Sequence, residues 1–335
     1  MKIDQANAAI ACGGTGFKAA FAHGVVSALE SHGFGVAAYA GASLAALPAA
    51  LAAAGEASAA GIHLWLRALE LLDLPANSMS DLALAQIEQA LPTLRERLVA
   101  PDAPRLCVAT TSVHTIAGAL ETQGPRAGAL GRRLQVHAAR RDTTWANEHL
   151  TAHLWDSAAT QRAHQLTPGN LDEVLYASSR LLHGWQIPAE INGLPFVDAV
   201  YTCACPALEM SALDYRDVVA IVAEPGPVFH NLFHTLVIPE MSWRSRIRII
   251  RPTIDPKSLG IDDTIASEKG LVALYDHGLD RGLQFVGEQL DIHPVSDPRW
   301  EWPKREEPVR NPIDIAVKSD KPILESEETS EPAGK

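Results

Sequence analysis

Twice within the first 55 residues, a short run of small apolar residues ends in a turn of tiny residues and passes directly into a helical pattern. Ala8 to Cys12 runs into Gly13–Gly14–Thr15–Gly16, after which Phe17, Phe21, Val25 and Leu29 recur at helical spacing as far as Gly33. Val36 to Ala40 runs into Gly41–Ala42–Ser43–Leu44–Ala45, and a second helix follows to Gly55. Two strand–turn–helix units in succession predict parallel strands buried on both faces. The expected fold is therefore α/β, three layers (α/β/α) around a mostly parallel central sheet.

Further along, residues 56–99 carry amphipathic helical patterns, with Trp65, Leu66, Leu69 and Leu72 on the first face. Leu106 to Thr111 predicts a third strand, and Thr115 to Thr122 is expected to pair with it. Residues 126–170 follow no single period. Leu171 to Leu182 predicts a helix. Ile187–Ile191 and Leu194–Val200, joined by Asn192–Gly193, predict a tight hairpin. Val218–Ala223 and Ile247–Ile250 predict strands, and Ile265–Leu290 a long helix. One domain over 1–293 is expected. Residues 294–335 turn proline-rich and then acidic without periodicity, which predicts a disordered tail.

Charge narrows the partners. The chain has 28 Lys plus Arg against 40 Asp plus Glu, a formal net charge of −12, so phosphate backbones repel it and nucleic acid is not an expected partner. Four cysteines cannot build a disulfide framework and read as reduced thiols. The first residues lack the apolar stretch of a signal peptide, and no apolar run reaches the ~18 residues of a membrane span. A soluble, cytoplasmic protein is expected.

The two turns carry the candidate chemistry. Ser43 stands between a strand and a helix with Gly41 two residues before it and Ala45 two after, a G-x-S-x-G nucleophile elbow with its last Gly replaced. A serine N-cap reads the same pentapeptide. The glycine turn lets backbone N–H groups converge, to hold a phosphate or the oxyanion of an acyl-transfer intermediate. Gly14 to Ala19 also matches the dinucleotide fingerprint, but the second strand ends in Tyr39–Ala40–Gly41 where that motif needs a carboxylate. A Ser-His-Asp arrangement would need His230, His234 or His277. The i, i+4 pairs His149/His153 and His230/His234 lack the intervening Glu of a zinc helix, and no metal or cofactor is expected. Cys203–Ala204–Cys205 reads as small residues near the site. The arginines 132, 133, 140 and 141, and 244, 246, 248 and 251, form two clusters that read as solvated or carboxylate-paired faces, with headgroup contact the sharper reading.

These blocks resemble the patatin-like phospholipases. That family opens with a strand, a glycine-rich turn, a helix with a G-V-L-type stretch and a serine elbow about 30 residues later; this chain shows Gly14–Thr15–Gly16–Phe17–Lys18–Ala19, Gly24–Val25–Val26 and Gly41–Ala45. A second block is matched by Ala177–Ser178–Ser179, Trp185, Pro188, Gly193, Phe196–Val197–Asp198 and Pro206, and Val108–Thr111 is similar to an intervening strand. The resemblance covers residues 8–290 in order, with 126–170 unmatched. It implies a Ser–Asp dyad without histidine: Ser43 as nucleophile, Asp198 as base, N–H groups of Gly14, Thr15 and Gly16 as oxyanion hole, with Lys18 and Gly41 in support. It implies lipid carboxylic esters as substrates, transient membrane-surface contact and no metal. The departures are Thr15, Ala19, Ala45, Ala199, Val200 and Ala204. Of these, Val200 is expected to tilt the strand and displace Asp198. The alternative on the same fold is a weak or inactive relative that binds lipid or acts as an interaction module.

Overall fold

In the computed structural model, residues 2–290 are described except 75, 76, 99, 101 and 243; the predicted tail, 294–335, lies outside the described residues. In chain order the elements are β1 (Ala8–Gly13), α1 (Ala19–Ser31), β2 (Ala38–Ala42), α2 (Ala46–Ala54), α3 (Ala57–Ala60), α4 (His63–Leu72), α5 (Met79–Leu98) and β3 (Arg105–Val113). There follow α6 (Ile116–Gln123), α7 (Ala127–Ala139), α8 (Thr144–His149), β4 (Leu150–Asp156), α9 (Leu171–Ser179), β5 (Ala189–Ile191) and β6 (Leu194–Val197). The last are α10 (Ala207–Ala212), β7 (Asp217–Ile221), β8 (Arg246–Ile250) and α11 (Glu268–Leu290).

One sheet runs β5-β6-β3-β2-β1-β7-β8, with β4 also paired to β3. The pairs β3–β2, β2–β1, β1–β7 and β7–β8 are parallel, as the strand–helix alternation predicts. Side chains alternate between its faces. Ala8, Ile10 and Cys12 of β1 join the larger core with α1, α2, α5 and α11, while Ala9 and Ala11 face α10 and residues 228–238. A central strand made of alanines lets both layers approach closely. Gly24 serves the same end, since a Cβ there would overlap the Tyr275 carbonyl of α11. Trp65 is fully buried and its Nε1–H donates to His23 Nδ1 at 2.9 Å, so α4 is a core helix.

One expected strand is a helix instead. Residues 115–122 do not pair with β3; Thr115 accepts the Gly118 N–H and starts α6, with Ile116 and Leu120 exposed. The edge of β3 is taken by β4, from the stretch whose sequence shows no period. The hairpin forms around Asn192 and Gly193, at φ 53° and 73°, the left-handed pair that an Asn-Gly turn requires. No described helix is long and apolar enough to cross a membrane, and the four cysteines are free and buried.

Candidate active site

The site is assembled on one edge of β3. β2 runs parallel to β3 and pairs Gly41 with Val108; β6 runs antiparallel and pairs Val197 with Thr111. Continuing the first register by two residues brings Ser43 beside Thr110. Continuing the second by one residue brings Asp198 to the same place. The two strands thus approach head to head along a shared neighbour, and the residues that follow their last pairs meet. Ser43 Oγ donates to Asp198 Oδ2 at 2.7 Å.

Ser43 sits at φ 57°, the left-handed region that a non-glycine residue enters at a cost of about 1–2 kcal/mol. Gly41 is obligatory for this turn, because a Cβ there would overlap Ala46 Cα. The turn continues through 3-10 residues Ser43–Ala45 into α2. Ser178 at the end of α9 donates to the Ser43 carbonyl at 3.4 Å, which gives the Ala177–Ser178–Ser179 block a structural part.

Asp198 is held from three sides. Its N–H donates to the Arg180 carbonyl at 3.0 Å, Oδ1 accepts the Val200 N–H at 2.7 Å, and Oδ2 accepts Ser43. Val200 therefore does not displace Asp198. After Asp198 the chain leaves the strand for a 3-10 turn, Ala199–Tyr201, so a branched side chain at 200 faces no strand neighbour and its amide caps the carboxylate. Asp198 is wholly buried. Burial pushes its pKa up to about 8, against the opposing pull of the Val200 and Ser43 hydrogen bonds.

The glycine turn is stitched to the elbow by the Ala45 N–H, which donates to the Gly14 carbonyl at 3.1 Å. Among the described residues, no hydrogen bond uses the N–H of Gly14, Thr15 or Gly16 as donor. Asp263 clamps the turn from outside. It accepts from Thr15 Oγ1 and lies 2.8 Å from Lys18 Nζ, and its carbonyl takes the Phe17 N–H at 3.3 Å. Gly16 is at φ 50°, and a Cβ there would overlap that carbonyl. Lys18 also pairs with Glu224. Burial disfavours its charge, yet Asp263 and Glu224 hold its pKa above the ordinary lysine value. Lys18 is thus a brace for the turn, and its charge is already matched.

A cavity opens beside the site, walled by Gly14, Thr15, Leu181, Val200, Phe229 and Leu232 among others. Neither Ser43, 1 % exposed, nor Asp198 lines it. The histidines considered as catalytic partners are engaged elsewhere. His230 bonds Glu209, His234 stacks on Phe229, and His277 accepts the Thr253 N–H. Of the arginine clusters, Arg133 pairs with Glu121, Arg244 with Asp214 and Arg246 with Asp217.

Asp263 and Arg180 hold the candidate site in place, and the sequence alone does not single them out. Asp263 lies in an aperiodic polar stretch with no signal. Arg180 directly follows Ala177–Ser178–Ser179, and its burial marks it only in three dimensions. No protein-family model matches the chain, and a search of curated proteins returns no relative.

Proposed function

We propose that this chain is a serine acyl hydrolase of the patatin type, cleaving carboxylic esters of lipids (phospholipase A, lysophospholipase or esterase) through an acyl-enzyme on Ser43. The observation that carries the reading is the 2.7 Å hydrogen bond from Ser43 Oγ to Asp198, beside a turn whose amides have no acceptor among the described residues. Ionised Asp198 takes the Ser43 proton as Oγ bonds to the ester carbonyl carbon. The carbonyl oxygen becomes an oxyanion, received by the N–H groups of Gly14, Thr15 and Gly16. The C–O bond to the alcohol then breaks, and Asp198 returns the proton to that oxygen. Water repeats the sequence on the acyl-enzyme, releasing the fatty acid and restoring Ser43. A carboxylate with a pKa near 8 is a stronger base than an ordinary aspartate, and the start of α2 favours the developing negative charge. The apolar part of the cavity wall, Leu181, Val200, Phe229 and Leu232, suits an acyl chain, and the polar part, with Lys18, Glu224 and Asp263, suits the ester end. Transient contact with a membrane surface goes with such a substrate, and the free buried cysteines suit the cytoplasm.

One observation favours the second reading, a lipid-binding or interaction module with little turnover: Ser43 is buried and does not line the cavity. Labelling with a fluorophosphonate and release of p-nitrophenol from acyl esters separate the two. The hydrolase reading expects labelling and turnover in the wild type, and a loss on the order of 10⁴-fold or more in Ser43→Ala and Asp198→Asn. Equal labelling of Ser43→Ala removes Ser43 from the mechanism. Lipid retention with no labelling in the wild type selects the module.

A further inference from the structure

We infer that Cys203, Glu209 and His230 form a site for a divalent transition-metal ion of the zinc type. One donor atom from each residue lies within 4.8 Å of the others, and His230 Nε2 stands 2.7 Å from Glu209 Oε1. Cys203 is buried, and the other two side chains are partly buried. The second Glu209 oxygen, Oε2, is buried with no hydrogen-bond partner among the described residues. A thiol, an imidazole and a carboxylate are the donors that zinc takes, and three protein ligands with an open fourth position are a common zinc arrangement.

A plain His–Glu pair leaves Oε2 without a partner and the Cys203 sulfur within 4.8 Å of the other two donor atoms. Tetrahedral zinc with bonds of about 2.0–2.3 Å needs donors about 3.3–3.8 Å apart. The site reaches that spacing if the His–Glu contact widens and the thiol draws in, both side-chain adjustments. The bonds formed are metal–sulfur, metal–nitrogen and metal–oxygen, and the thiol proton leaves to solvent.

The placement gives the ion a consequence. Cys203 is on the loop that begins at Asp198, and its N–H donates to the Ala199 carbonyl at 2.6 Å. His230 is on the cavity-wall segment, already joined to that loop by Ala204 N–H to His230 O at 2.6 Å and Leu232 N–H to Val200 O at 2.8 Å. A bound ion adds a strong cross-link between the Asp198 loop and the cavity wall, whatever reaction takes place there.

The test uses the full chain, stripped with a chelator and titrated with Co²⁺ and then Zn²⁺ under reducing conditions. The expected result is one equivalent of Co²⁺ with a thiolate-to-metal charge-transfer band, displacement by Zn²⁺, and a higher melting temperature with metal. Cys203→Ser should abolish the band, while His230→Gln and Glu209→Gln should each weaken binding on the order of 10- to 100-fold or more. Cys107→Ser, buried in β3, should leave the band unchanged. If Cys203→Ser does not fold, the other two ligand variants decide. No saturable binding to the wild type, or binding unchanged by the ligand substitutions, overturns the inference.

Discussion

At the end of β1 the chain turns through Gly16 at φ 50°, and at the end of β2 through Ser43 at φ 57°. Each turn then winds through three 3-10 residues into an α-helix. The backbone device is the same, and what each turn offers is different. The first presents amide hydrogens and tolerates no side chain at Gly16, because the Asp263 carbonyl lies against it. The second presents a hydroxyl, and the strained residue is over-determined by Gly41, by the Ala45 bond to Gly14 and by Asp198. On the proposed reading, one geometry supplies both the nucleophile and the donors for the charge it creates, and the Ala45 amide ties the two turns together.

The sharpest way to break this pairing is Gly16→Ala. The methyl meets the Asp263 carbonyl at a positive φ, so it should cost about 3 kcal/mol or more, read as a lowered urea midpoint, and abolish turnover with it. The same methyl at the elbow, in Ser43→Ala, should leave the midpoint within about 1 kcal/mol of wild type.

A second, smaller effect comes from pH. The folded pKa of Asp198, about 8, lies above its unfolded value, so the native state binds the proton more tightly. The stability this contributes is full below about pH 4 and is lost as pH rises through about 8. Asp198→Asn, expected to lose turnover, should therefore melt several degrees above wild type at about pH 9, with the gain vanishing near pH 4. Turnover by the wild type should rise with pH through about 8, where the base ionises. A rate that is flat across this range would remove Asp198 as the base.

Asp263→Asn sharpens the comparison by loosening only the first turn. Lys18 keeps Glu224 but loses its ion pair with the carboxylate that clamps the turn, and kcat for p-nitrophenyl esters should fall about tenfold. Ser43, whose own hydrogen bond is untouched, should still be labelled completely, though more slowly. The smallest expected effect is Val200→Ala. Its amide still caps Asp198, while the shorter side chain opens the cavity wall, so labelling of Ser43 should speed up by a few-fold. A slower reaction would show that the valine side chain supports the dyad.

The α/β class, the parallel pairs, the Asn-Gly hairpin and the strained turn at Ser43 are all legible in the residues, since each depends on neighbours in the chain. A run of alanines and β-branched residues must be buried on both faces, and an elbow needs its small flanking residues. Residues 115–122 mislead for the same local reason. Nothing in their alternation says that β4 will occupy the strand edge, which leaves them to coil into α6 behind a Thr115 cap. The dyad itself spans 155 residues, and only the tertiary structure decides it. Two strands of opposite direction share one edge of β3, and sheet order is set by the packing of whole layers. Burial then raises the pKa of Asp198 to about 8, and close approach places Asp263 against the glycine turn. Both depend on what surrounds a side chain in the folded state, which its sequence neighbours do not encode.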